Sequence, residues 1–166
     1  TWQSDTQSEP SVSALGDGFV VTWRDSDGDD GSSGGSNHDV FAKIFTTTDN
    51  NTAVDTPVVA VDEFLVNDSY DSSSNISSYS GTQYWPKVAT LKDGNFVITW
   101  TDDNGNNNPE GGYSTDTFGQ VYKPDGTKVG AEFRANTYTN SDQDTQSVAA
   151  LEDGGFIITW SSYGQD

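Results

Sequence analysis

The sequence predicts an all-β protein built of tandem four-stranded antiparallel meanders, and three observations predict it. The first is an internal repeat. Leu91-Lys92-Asp93-Gly94-Asn95-Phe96-Val97-Ile98-Thr99-Trp100 returns as Leu15-Gly16-Asp17-Gly18-Phe19-Val20-Val21-Thr22-Trp23 and again as Leu151-Glu152-Asp153-Gly154-Gly155-Phe156-Ile157-Ile158-Thr159-Trp160, so the chain is a set of similar units rather than one continuous design. The second is composition: only 31% of the residues are hydrophobic, and Val, Ile, Phe, Tyr and Trp, the residues that suit a pleated surface, dominate them. The third is the absence of any window with apolar residues at i, i+3, i+4 and i+7 over three turns, in a chain rich in Gly, Asn, Asp, Ser and Thr that disfavour helix.

Each copy of the repeat is strand, Asp-Gly turn, strand. Gly takes positive φ without steric cost and Asp hydrogen-bonds its own backbone, so Asp-Gly between apolar runs marks a hairpin. Strand side chains alternate, which puts Phe96, Ile98 and Trp100 on one face and Val97 and Thr99 on the other. Gln7, Gln83 and Gln143 fall in register, each five residues before a Val (Val12, Val88, Val148) expected to begin the first strand. Pro10 and Pro86 stand two residues before that Val, with Gln146 in the third copy. Since Pro donates no hydrogen bond, the position is expected to be a strand start.

Beyond the Trp, a polar loop leads to a third strand, Asp39-Val40-Phe41-Ala42-Lys43-Ile44-Phe45, matched by Asp116-Thr117-Phe118-Gly119-Gln120-Val121-Tyr122. A turn follows, Lys123-Pro124-Asp125-Gly126 in one unit and the longer stretch 46–55 in the other. A short fourth strand is expected over 63–67 and 132–136. Residues 1–67 thus make unit one, and 68–136 make unit two, with 68–81 a Ser/Tyr/Asn/Gly insertion expected to be a surface loop. Residues 137–166 make half of unit three. The chain has no Met and opens on Thr1, so it is expected to be processed or a segment of something longer.

Charge narrows the partners. Against 26 acidic side chains stand 7 basic ones, a net charge of −19 that repels nucleic-acid phosphates and anionic lipid surfaces. The same charge attracts divalent cations. With no Cys, disulfides and thiolate metal sites are excluded. Within these 166 residues neither a signal-peptide pattern nor a run of ~20 apolar residues occurs. An acidic, cysteine-free, Ser/Thr/Asn/Gly-rich repeat chain points to an extracellular or cell-surface setting.

The pattern Q-x-x-P-x-V-x-x-L-x-D-G-x-F-V-x-x-W, followed by a Gly/Asp-rich loop, F-x-Q-x-[FY] and x-G-x-x-V-G-x-E-F-x-V-N, resembles a class of tandem repeats found in giant secreted or surface-attached proteins of bacteria and ciliates, beside calcium-binding and adhesin modules. The best match runs from Gln83 to Asn136 and includes Asp125-Gly126-Thr127-Lys128-Val129-Gly130-Ala131-Glu132-Phe133. Gln146 in place of Pro and a residue missing between Gly18 and Phe19 depart from it. The resemblance implies units like β-propeller blades. Closed propellers hold about four blades or more, so two and a half units must continue covalently, borrow strands from another copy, or pack as an open sandwich.

Few residues offer chemistry. Asp25, Asp27, Asp29 and Asp30 place carboxylates at near-alternate positions, as oxygen-ligand calcium loops do, though Asp30 occupies the EF-hand's Gly position and Ser36 its bidentate Glu position. Calcium is therefore the one cofactor the sequence suggests, against a simple solvated loop. Asp17, Asp93 and Asp153 recur in the same turn of every unit, which argues for a turn role, because an active site is asymmetric whereas a turn is repeated. No pair of carboxylates stands out for glycoside hydrolysis, and His38, in a Gly/Ser loop, is expected at the surface. Trp23, Trp100 and Trp160 are expected to pack in the core, while Trp2, Tyr70, Tyr79, Tyr84 and Trp85 lie outside the repeat register and are candidates to fill a partner's groove. Sequons occur at Asn50, Asn67 and Asn75, no more than chance provides.

These features point to a non-enzymatic structural module of an extracellular filament or giant surface adhesin, associating with copies of itself through β-strand complementation. A carbohydrate-binding or glycan-hydrolysing propeller segment, with surface glycans as partners, is the alternative. The half unit leaves a sheet edge open in the hairpin from Val148 to Trp160, an edge that templates another strand. Thr1, Trp2 and Gln3 carry the sequence that follows a completed unit, so the start of one copy is expected to meet the end of the next in a linear homopolymer.

Overall fold

A computed structural model describes residues 6–26, 38–47, 56–67, 82–103 and 114–165. All the regular structure among them is strand. The first unit gives β1 (Gln7–Leu15), β2 (Gly18–Asp25), β3 (Asp39–Thr47) and β4 (Pro57–Leu65). The second gives β5 (Gln83–Thr90), β6 (Phe96–Asp102), β7 (Asp116–Tyr122) and β8 (Lys128–Arg134), and the third β9 (Gln143–Ala150) and β10 (Phe156–Ser162). Each strand pairs antiparallel with its sequence neighbour, giving sheets β1-β2-β3-β4 and β5-β6-β7-β8 and the two-stranded β9-β10. The all-β meander expected from the repeat is therefore the observed architecture, and among the described residues the sheets close into neither barrel nor ring.

The hairpin turns form as the Asp-Gly signal requires in units two and three, whereas in unit one Gly18 belongs to the strand and the expected Asp17-Gly18 turn is corrected. In units two and three the Asp93 and Asp153 carboxylates accept the N–H of Asn95 and Gly155 at 3.0 Å, and Gly94 and Gly154 sit at φ 87° and 98°. Asp125 and Gly126 repeat that arrangement between β7 and β8. In unit one, a residue shorter, Leu15 pairs directly with Gly18, and Gly16 takes the positive φ.

Two strand boundaries differ from expectation. Pro10 and Pro86 lie inside β1 and β5 rather than at their start, because a bulge removes them from the ladder: pairing skips from Ser8 to Ser11 and from Tyr84 to Lys87. Glu9, Trp85 and Thr145, each just before the Pro or Gln, have positive φ of 56°, 53° and 51°. Inside a bulge the missing Pro N–H costs nothing. The fourth strands also begin earlier, at Pro57 and Lys128. Beyond their ends, Asn67 and Asn136 replace a ladder rung with a side chain: each amide oxygen accepts a backbone N–H at 2.8 Å, from Val40 and Thr117 respectively.

The three sheets stack in chain order. Between the first and second lie Val20, Val40, Ile44, Val66, Phe96, Ile98 and Trp100, with Phe96 stacked on Tyr122 at 5.3 Å and the Tyr122 hydroxyl donating to Val66 O at 2.8 Å. Between the second and third, Ala89, Leu91 and Val97 pack against Val121, Phe133, Val148 and Phe156. Covered on both sides, β6 is buried at every residue. β2, covered on one, alternates between buried and half-buried positions from Phe19 to Trp23, and β10 alternates between half-buried and exposed before becoming exposed throughout. Serines stitch the innermost strands together: Ser11 Oγ accepts Val88 N–H and Ser13 Oγ accepts Thr90 N–H, at 3.3 and 3.1 Å.

Candidate functional site

Function is best sought where the units stop being alike, because what every unit repeats serves the fold. The repeated polar groups form a lattice. Gln7 Nε2 donates to Asp25 Oδ2 (2.9 Å) and Gln83 Nε2 to Asp102 Oδ2 (3.2 Å), while Gln143 Oε1 accepts from Trp160 Nε1 at 3.2 Å. At the far side of each full unit, Asn67 Nδ2 donates to Asp39 and Asn136 Nδ2 to Asp116. Asp25 stands directly across from Asp39, and Asp102 across from Asp116, so each of the two full units buries an opposed pair of aspartates. Burial pushes the Asp102 carboxyl up to about 7; the Gln83 amide opposes this and Glu132, Asp103 and Asp116 reinforce it.

Asp25, expected as a calcium ligand, is thus a buried counterpart of Asp102 held by Gln7. Asp27, Asp29 and Asp30 lie outside the described residues. Among the described residues no three acidic or His side chains are grouped to hold a metal. Of the sequons, Asn50 and Asn75 lie outside the described residues, and Asn67 is corrected: it is 2% exposed and both ends of its amide are engaged, so the folded chain has no room for a glycan there. Thr1, Trp2 and Gln3, and likewise Tyr70 and Tyr79, are also outside the described residues. Val148 packs half-buried on the second sheet instead of facing a partner. Trp160 is 37% exposed on β10, Trp23 half-buried and Trp100 wholly buried, so the shared core role holds fully only for the central unit.

One cluster breaks the repeat. At the bulge end of the first two sheets, Glu9 Oε2 accepts the Trp85 N–H at 2.6 Å and Oε1 meets Arg24 Nη1 at 3.5 Å. The Arg24 guanidinium lies over the Tyr84 ring at 5.3 Å, and Tyr84 and Trp85 are tilted together at 5.4 Å. His38 borders it, its carbonyl accepting Gln83 N–H at 2.9 Å. The expectation of a surface His is only partly met: its ring is half-buried, its Nδ1 has no partner among the described residues, and burial and then Arg24 hold its pKa down against Glu9, Asp39 and Asp25. No family model, curated protein or solved structure matches the chain. The geometry alone must carry the functional reading.

Chemically, the cluster offers an aromatic pair, a cation and one engaged carboxylate. That suits stacking and hydrogen bonding to a polyol better than bond cleavage, since glycoside hydrolysis uses two carboxylates across the scissile bond. The sequence singled out Tyr84 and Trp85 as outside the repeat register, but gave no reason to join Glu9 and Arg24 to them. Only the packing of β1 and β2 on β5 does so.

Proposed function

We propose that this chain is a non-enzymatic structural module of an extracellular filament or giant surface adhesin and that it associates with copies of itself by β-strand complementation. The observation that carries the reading is the third sheet: β10 pairs with β9 on one side, and its other edge, whose counterpart on β6 pairs with β7 in the second unit, has no strand beside it among the described residues. An unpaired edge of N–H and C=O groups is a template for an added strand. Light scattering over a concentration series tests this, with and without a peptide of residues 114–136, which carries β7 and β8, the strands that follow the hairpin in the second sheet. Association that the peptide caps is expected; a chain that stays monomeric, or association indifferent to the peptide, refutes it.

The Tyr84–Trp85 pair with Arg24 favours a second reading, a carbohydrate-binding segment. A glycan array with the wild type and Trp85→Ala tests that reading, and selective binding lost in the variant supports it. Calcium, suggested by the charge of −19 and the acidic stretch after Trp23, belongs to the same adhesin reading as a stabilising ion.

A further inference from the structure

Two faces of the stack are left uncovered among the described residues, and the repeat states what fits each. On the first sheet, Val12 pairs across to Val21, Phe19 to Phe45 and Trp23 to Phe41, so these six side chains share the face turned away from the second sheet. The register equivalents in the second unit, Val88, Phe96, Ile98, Trp100, Phe118 and Tyr122, form the face that packs on the first sheet. Identical positions are therefore more deeply covered in the second unit than in the first: Val88 is 9% exposed and Val12 64%, with the other five residues of the first-sheet face half-buried. Phe19 and Phe45, both half-buried, are already stacked at 4.9 Å. On the last sheet the converse holds. Ile157 is 51% exposed, whereas its equivalents Val20 and Val97 are wholly buried. Val88 lies in one packed cluster with Val20, and Val148 in one with Val97. The missing contact of the series is thus Val12 against Ile157.

We infer that the Val12/Val21 face is an assembly surface whose occupant is a second copy of this chain, seated through the Ile157 face of its β9–β10 sheet. The contact continues an interface that the chain already builds twice. In both, the first strand of the later unit lies across the inner strands of the earlier one: β5 across β1, β2 and β3, and β9 across β5, β6 and β7. In the assembly, β1 of one copy lies across β9 and β10 of the next. The two faces differ, so the contact is heterologous and runs head to tail. It rests on the same reading of self-association proposed above but assigns it to a sheet face instead of a strand edge. At −19 per chain copies repel, so the contact strengthens as salt screens them.

The absence of cysteine makes the test specific. Chains carrying Val12→Cys and chains carrying Ile157→Cys, both at exposed positions, are treated with a short bis-maleimide singly and mixed, at low and high salt. The mixture is expected to give covalent dimer several-fold above either variant alone, more at high salt, and Val21→Asp in the Val12→Cys chain is expected to abolish the excess. Dimer no greater in the mixture than in the single variants overturns the inference. If the 114–136 peptide suppresses scattering while the mixture fails to cross-link, strand complementation stands and the face contact falls. Cross-linking that persists with the peptide present supports the face contact, whatever becomes of the edge.

Discussion

Replacing Asp102 by Asn should make the protein more stable at neutral pH and change how its stability depends on pH. Asp102 is buried at the end of β6, opposite Asp116, and its Oδ1 has no hydrogen-bond partner among the described residues. One amide donor, Gln83, offsets the loss of water only in part, and the carboxyl is pushed from 3.8 to about 7. A folded-state pKa above the unfolded one means that the native state holds the proton longer. Stability is therefore undiminished below about pH 4, falls as pH rises from there to about 7, and stays low above. Three pH units at roughly 1.4 kcal/mol each make the loss about 4 kcal/mol, a large share of the ~5–15 kcal/mol typical of a domain. An amide has no proton to lose, and it keeps an oxygen for Gln83. Urea unfolding followed by tryptophan fluorescence, at fixed ionic strength from pH 4 to 8, reads the difference between variant and wild type, in which the other acidic groups cancel. That difference should be near zero at pH 4 and should grow toward ~4 kcal/mol in the variant's favour at pH 8. A difference that does not vary with pH, or a variant weaker at pH 8, refutes the view that Asp102 is an ionisable group deprived of solvent.

Position in the stack should govern the cost of truncating one and the same motif residue: Val97→Ala, wholly buried, is expected to cost about 2 kcal/mol or more, and Ile157→Ala, half exposed, well under 1 kcal/mol, by chemical denaturation. Asn136→Ala strips the Thr117 N–H of its acceptor and Asp116 of a donor in a buried setting, so a loss of ~1–3 kcal/mol is expected, and a neutral result would show that water replaces the amide. For calcium, the melting temperature should rise in millimolar calcium and return with chelator, by the linkage that favours any state that binds a ligand; a melting temperature indifferent to both removes the ion from the account.

How much of this was legible beforehand differs between the ladder and the stack. Strand order, the antiparallel meander and the turn roles of Asp93, Asp125 and Asp153 follow from local rules, side-chain alternation and the need for positive φ at Gly94, Gly126 and Gly154, so the sequence alone determined them. The register of Gln7, Gln83 and Gln143 was visible as a pattern, but not its purpose, because Gln7 and Gln83 each meet an Asp, and Gln143 meets Trp160, only after two strands pair. Pro10 and Pro86 misled as strand starts, since the bulge that lifts them from the ladder exists only once each first strand is paired with the second. Tertiary structure by itself decided which copy of a repeated residue is core. Val12 and Val88 are the same letter in the same motif, and what separates them is whether a sheet lies over them. Burial is a property of neighbours, and no local rule can state it. Likewise Glu9 and Arg24 meet Tyr84 and Trp85 across a sheet interface, so that departure from the repeat exists only when the units are stacked.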